Sequence, residues 1–134
     1  MQDDAYMAQI RRLAAGARYI TSVCTGSLIL AAAGLLEGKR ATSHWLALQQ
    51  LSALGAEAVS ERVVFDGKVV TAAGVSAGID MALVLAAQIA GEEYAQAIQL
   101  GIEYDPQPPF RSGSTATAPP AIVALVRGNA DRLG

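Results

Sequence analysis

The segment Tyr19-Ile20-Thr21-Ser22-Val23-Cys24-Thr25-Gly26-Ser27 places the only cysteine of the chain between a short β-branched run and an apolar helical run. A thiol at such a strand-to-helix junction faces the helix N-terminus, where unpaired backbone N–H groups and the macrodipole favour an anion. Thiolate is the nucleophilic form of cysteine, so this position would activate Cys24. Gly26 has no side chain, which permits a sharp turn and the close approach of a substrate. The pattern is that of a nucleophile elbow with sulfur in place of the serine oxygen. The backbone N–H of Thr25 would then face developing negative charge. The competing reading is a small buried thiol that only packs, a common fate of free cysteine.

A second glycine-rich turn, Val75-Ser76-Ala77-Gly78, also leads from an extended run into a helical one. In layered α/β sheets ligands bind at the C-terminal ends of strands, so Val75 and Ser76 are expected to line the same pocket as Cys24. His44 is the only histidine. Beside a reactive cysteine it would tune the thiol or shuttle protons. Next to Trp45 it reads better as a packed or hydrogen-bonded core group close to the pocket. Asp80 is a candidate acid, but in the first turn of a helix it reads better as a complement to the dipole. Glu103 and Asp105 flank Tyr104 before a proline-rich loop and read as solvated carboxylates, and Glu92 and Glu93 as a helix start. Met7, Met81 and Trp45 read as core.

The elements that would position these groups follow from spacing and punctuation. A helix over 5–16 is capped by Asp3 or Asp4 and ended by Gly16. The strand Tyr19–Val23 follows, then a helix from Gly26 to Leu36 with Gly38 just beyond it. Ala41-Thr42-Ser43 is extended, and Ser43 is placed to cap a helix over His44–Leu54 that Gly55 closes. Asp66-Gly67 between two β-branched runs is a strong hairpin signal. A long helix is expected from the second glycine turn to Ala90, with Ser76 as its cap, and another over Glu92–Ile102. Residues 105–120 hold all five prolines and read as a loop before a last helix over Ala121–Arg132. Strands alternating with helices predict an α/β layered sheet with helices on both faces.

With 134 residues the chain is expected to form a single domain with a real core. Its 52% hydrophobic and 16% charged content exclude a disordered chain. A single cysteine excludes an internal disulfide and a cysteine-rich metal site, and suits a reducing compartment. A net charge of −2 without a basic run gives no footprint for nucleic acid. The apolar stretch Leu28–Leu36 is too short to span a bilayer, and Met1-Gln2-Asp3-Asp4 is unlike a secretory leader. Together these predict a soluble cytoplasmic protein that engages neither nucleic acid nor membrane.

The run SVCTGSLILAAAGLLEGKRATSHW, followed by ERVVFDGKVVTAAGVSAGIDMAL, resembles the DJ-1/PfpI superfamily of glutamine-amidotransferase-like proteins. The segment IEYDPQPPF resembles its isonitrile hydratase group. VCTGS alone is moderately specific, whereas the ordered set of VCTGS, ATSHW, AGID and YDPQPPF is strongly so. The resemblance implies a flavodoxin-like, Rossmann-like three-layer sandwich with a mostly parallel sheet. It implies hydration of an isonitrile to the N-substituted formamide, with Cys24 attacking the terminal carbon and water resolving a thioimidate-like adduct. Thr25 carries over as the residue beside the nucleophile. The resemblance implies no metal, no organic cofactor, and a homodimer.

One departure is large. The family sheet begins with further strand and helix units before the first helix of this chain. Those units carry an acid that hydrogen-bonds the cysteine and a Gly-Gly turn that contributes to the anion site, and neither has a match here. The expectation is that the chain corresponds to the C-terminal part of a longer enzyme, exposing a strand edge that would favour association or aggregation. Alternative functions are the ligand-sensing domain of AraC-type regulators, a glyoxalase- or chaperone-like member of the superfamily, and an inactive fragment. YDPQPPF, together with an end at Gly134 that leaves no room for a helix-turn-helix, points to the enzyme.

Overall fold

The computed structural model describes residues 3–133, so the sequence readings of Met1, Gln2 and Gly134 lie outside the described residues. In chain order the elements are α1 (Asp4–Gly16), β1 (Ile20–Val23), α2 (Gly26–Ala32), β2 (Arg40–Ala41), a 3₁₀ turn (Trp45–Ala47), α3 (Leu48–Ala53), β3 (Glu57–Ala58), β4 (Val63–Asp66), β5 (Val69–Ala72), α4 (Ala77–Ala90), α5 (Glu92–Gly101), α6 (Pro120–Gly128) and α7 (Ala130–Leu133). The chain divides into two compact units, one through Ile98 and one from Gln99 onwards. The second holds the end of α5, the proline-rich segment, α6 and α7. Among the described residues no helix is long and apolar enough to cross a membrane.

In the first unit the main sheet has the order β1-β5-β4. β1 runs parallel to β5, pairing Ile20 with Val69 and Val23 with Ala72, and β4 runs antiparallel to β5. β2 and β3 form a separate parallel pair. Every residue of β5 is buried, because its two faces serve two cores. Val69 packs with Leu28, Leu30, Leu36, Ala47 and Leu51 on the α2/α3 side. Val70 and Ala72 pack with Ala77 and Met81 of α4 on the other. The period-2 alternation of a strand thus yields helix, sheet and helix layers in this unit.

The caps explain the element boundaries. Asp3 accepts the Tyr6 N–H at 3.0 Å and starts α1. Lys68 donates from Nζ to the Ala14 and Ala17 carbonyls at 2.8 and 3.2 Å, satisfying the end of that helix and docking it on the β4–β5 hairpin. α2 stops at Ala32 rather than Leu36, since Gly34 turns left-handed with φ +82 and the following residues form turns. The helix expected over His44–Leu54 is split into the 3₁₀ turn and α3. The cap of the 3₁₀ turn is His44, whose Nδ1 accepts the Leu46 N–H at 3.2 Å. Ser43 is drawn elsewhere. The last helix breaks at Asn129, whose side chain donates to the Leu125 carbonyl.

Candidate active site

Cys24 sits between β1 and α2 with φ +59, a left-handed conformation that side-chain-bearing residues rarely adopt. Among the described residues only Glu103 is the other non-glycine with positive φ. The sharp turn of the elbow therefore falls on the cysteine itself. Gly26 is the first residue of α2 without a positive φ, and a Cβ there would make only an ordinary 3.5 Å contact with Ser22. The reading of Gly26 as the residue that makes the turn is corrected accordingly.

Hydrogen bonds fix the strained residue from both sides. The Cys24 N–H donates to the carbonyls of Ala72 and Ala73 at 3.1 and 2.7 Å, which ties the elbow to the end of β5. The Cys24 carbonyl accepts the Ser43 hydroxyl at 2.9 Å and the Ser27 hydroxyl at 3.4 Å. Ser43 and Ser27 are buried, at 1% and 0% exposure, so both hydroxyls are held in place by packing. Cys24 itself is half-buried, with part of its surface open to solvent. A residue kept in a costly conformation by two buried hydroxyls and two carbonyls is over-determined, as functional turns commonly are.

The second glycine turn lies against the first. Ala73 connects them, and a Cβ on Gly78 would come within 3.1 Å of both Val23 methyl groups. Glycine at 78 thus allows the start of α4 to approach the residue preceding the cysteine closely. Val75 is 80% exposed and Ser76 is also exposed. Thr25 is exposed at the N-cap of α2, with its carbonyl accepting the Leu28 N–H at 3.0 Å.

His44 reaches this region too, since a Cβ on Gly74 would stand 3.8 Å from its Cδ2. The ring stacks on Trp45 with centroids 5.9 Å apart. Because Nδ1 accepts a backbone N–H, the ring proton of neutral His44 is on Nε2, the atom bonded to Cδ2. His44 is therefore both a cap and a neighbour of the Gly74 turn. Asp80 is ion-paired with Arg62, so it does more than complement the helix dipole. Met7 and Met81 are core residues, as expected, whereas Trp45, also expected in the core, is only partly buried.

Spacing did not point to Thr42, Ser43 or Thr71. Thr71 Oγ1 accepts the buried Thr42 N–H at 2.9 Å, which holds the Thr42–Ser43 segment under Cys24. The usable signal was their polarity. Buried polar side chains must find partners, and three of them between apolar runs indicate a hydrogen-bonded support. Thr71→Val should cost about 1–3 kcal/mol in denaturant unfolding, because it strands a buried N–H. Thr71→Ser, which keeps the oxygen, should recover most of that loss.

Comparison with known proteins shows which family the chain resembles. The model of the DJ-1/PfpI family matches residues 1–88, which contain the elbow, His44 and the second glycine turn. The isonitrile hydratase of Pseudomonas putida is 55% identical over 130 residues, covering 97% of this chain and 57% of that protein. The crystal structure of a ThiJ/PfpI family protein from Pseudomonas syringae superposes with a TM-score of 0.91 at 46% identity, covering 96% of this chain and 54% of that one. The HTH-type transcriptional regulator CdhR of Pseudomonas aeruginosa is 39% identical over 93 residues, 68% of this chain and 28% of the regulator. The chain thus spans little more than half the length of the first two. With a family model over residues 1–88 and a relative 55% identical over 97% of the chain, the chain belongs to the DJ-1/PfpI family.

Proposed function

We propose that this chain carries the cysteine-bearing part of an isonitrile hydratase. The observation that carries the reading is the left-handed backbone of Cys24 between β1 and α2, in a chain 55% identical to an isonitrile hydratase. In the proposed reaction the Cys24 sulfur adds to the terminal carbon of R–N≡C, and that carbon takes a proton to give R–N=CH–S–Cys. Water then adds to the same carbon while nitrogen takes a proton. Collapse releases R–NH–CHO and returns the sulfur as thiol, so one water is consumed and no redox partner is needed.

Thr25 contributes its backbone N–H beside the sulfur, next to Gly26 at the helix start. Val75 and Ser76 form the wall, with exposed Val75 offering apolar contact to the R group. His44 Nε2–H is an auxiliary donor at the Gly74 side. The reaction so written uses no metal and no organic cofactor. The working state proposed is a cytoplasmic homodimer, with an isonitrile as its ligand and neither nucleic acid nor membrane as a partner. The family's proton-handling acid has no match in this chain, so His44 and solvent are proposed to pass the protons here.

The test is conversion of a simple aromatic isonitrile to its formamide, followed by loss of the isonitrile stretch in the infrared. Steady multiple turnover is the expected outcome. A folded chain that consumes no isonitrile would overturn the reading for this chain. The similarity to CdhR supports a second reading, a ligand-sensing domain. That reading predicts saturable binding of a small molecule without turnover.

A further inference from the structure

We propose that Arg62 is a positioning residue that sets the Gly74–Ser76 turn beside Cys24. Arg62 immediately precedes β4 and is half-exposed, with 51% of its side chain accessible. Its carbonyl accepts the Ala73 N–H at 2.9 Å, and the Ala73 carbonyl in turn accepts the Cys24 N–H at 2.7 Å. Its guanidinium pairs through Nε with Asp80 in the first turn of α4 and donates from Nη2 to Ser76 Oγ at 3.3 Å. One residue therefore holds the turn at Ala73, where it leaves β5, and at Ser76, where it enters α4. The residues left between these anchors are Gly74, which lies against His44, and the largely exposed Val75.

The chemistry of the side chain fits such a role. A guanidinium is a rigid planar fork that can hold two acceptors in fixed relation, whereas an ammonium is a single flexible point. The helix start gives Arg62 a reason to be there. Ser76 occupies the N-cap position of α4 with a helical backbone, φ −68 and ψ −24, and makes no capping bond, while its hydroxyl accepts from Arg62. A half-exposed ion pair adds little to global stability, so its removal acts on position more than on folding.

The inference rests on the proposed hydratase reading only for its kinetic arm. Cys24 is the sole cysteine, so alkylation reports on the elbow without ambiguity. The experiment compares the wild-type chain with Arg62→Ala and Arg62→Lys. One arm measures KM and kcat with an aromatic isonitrile, and the other measures second-order rates with iodoacetamide and with bulkier N-phenylmaleimide. In Arg62→Ala the ratio of the bulky to the small reagent's rate should rise about threefold as the wall loosens. KM should rise about fivefold, with kcat changed less than KM. Arg62→Lys keeps the charge opposite Asp80 but not the fork, and should fall between the two. An Arg62→Ala chain whose rate ratio stays at the wild-type value overturns the proposal, including the case where only its melting temperature falls. A wild-type chain without isonitrile turnover overturns the hydratase reading, and the alkylation ratio alone then decides on Arg62.

Discussion

Cys24→Ala is expected to lower isonitrile turnover by about three orders of magnitude or more, because it removes the atom that forms the covalent adduct rather than one that assists it. The folded state should tolerate the change. Cys24 is half-buried, and the bonds that hold the elbow involve its backbone N–H and carbonyl, both of which alanine retains. Alanine keeps a Cβ at φ +59, so the strain remains. Cys24→Gly removes it. The left-handed region costs a side-chain-bearing residue about 1–2 kcal/mol, and glycine loses part of that gain through the greater freedom of its unfolded chain, roughly 0.5–1 kcal/mol. Cys24→Gly should therefore be more stable than Cys24→Ala by about 1 kcal/mol in urea unfolding, while equally inactive. A glycine variant no more stable than the alanine variant would argue that the elbow is relaxed. An alanine variant with wild-type turnover would remove Cys24 from the mechanism.

The sequence carried the frame of the site further than its internal bonding. Asp66-Gly67 between β-branched runs marks the β4–β5 hairpin because few other turns suit those residues, and Gly67 takes φ +62. The apolar run of α4 and the N-terminal cap at Asp3 were legible for the same reason: each has a local signature. The parallel pair β2–β3 was not, since strands of two residues, Arg40–Ala41 and Glu57–Ala58, are too short to show a period. The position of the sharp turn was misplaced by two residues. Glycine is the usual occupant of φ > 0, and sequence rules assign such turns to it even where the tertiary structure imposes them on a cysteine. Ser43 shows the same limit. A serine before a helical run reads as a cap, but its hydroxyl serves the Cys24 carbonyl, a partner nineteen positions away. Arg62 had no legible signal, because an exposed arginine ahead of a strand resembles any solvated charge. Its meaning comes from three contacts that converge only in the fold.

Leu51→Ala should be the most damaging substitution outside the site. Leu51 of α3 is fully buried and packs in the cluster that joins Leu28, Leu30 and Leu36 to Ala41 and Val69. Truncation forfeits the transfer energy of the removed carbons and leaves a cavity that well-packed neighbours cannot fill, a combined loss of about 2–5 kcal/mol. Against a typical total of about 5–15 kcal/mol, that is a large share of the folding free energy. A melting temperature lower by roughly 10–20 °C is the corresponding expectation for a unit of this size. The surviving folded molecules separate this effect from those at the site. The Ser43–Cys24 and Thr42–Thr71 bonds do not depend on the Leu51 side chain for a donor or an acceptor. KM for an isonitrile, measured well below the lowered melting temperature, should therefore stay at the wild-type value. A shift in KM would mean that the α2/α3 core sets the geometry of the elbow directly, and that the buried hydroxyls alone are too weak to hold Cys24 in its left-handed conformation.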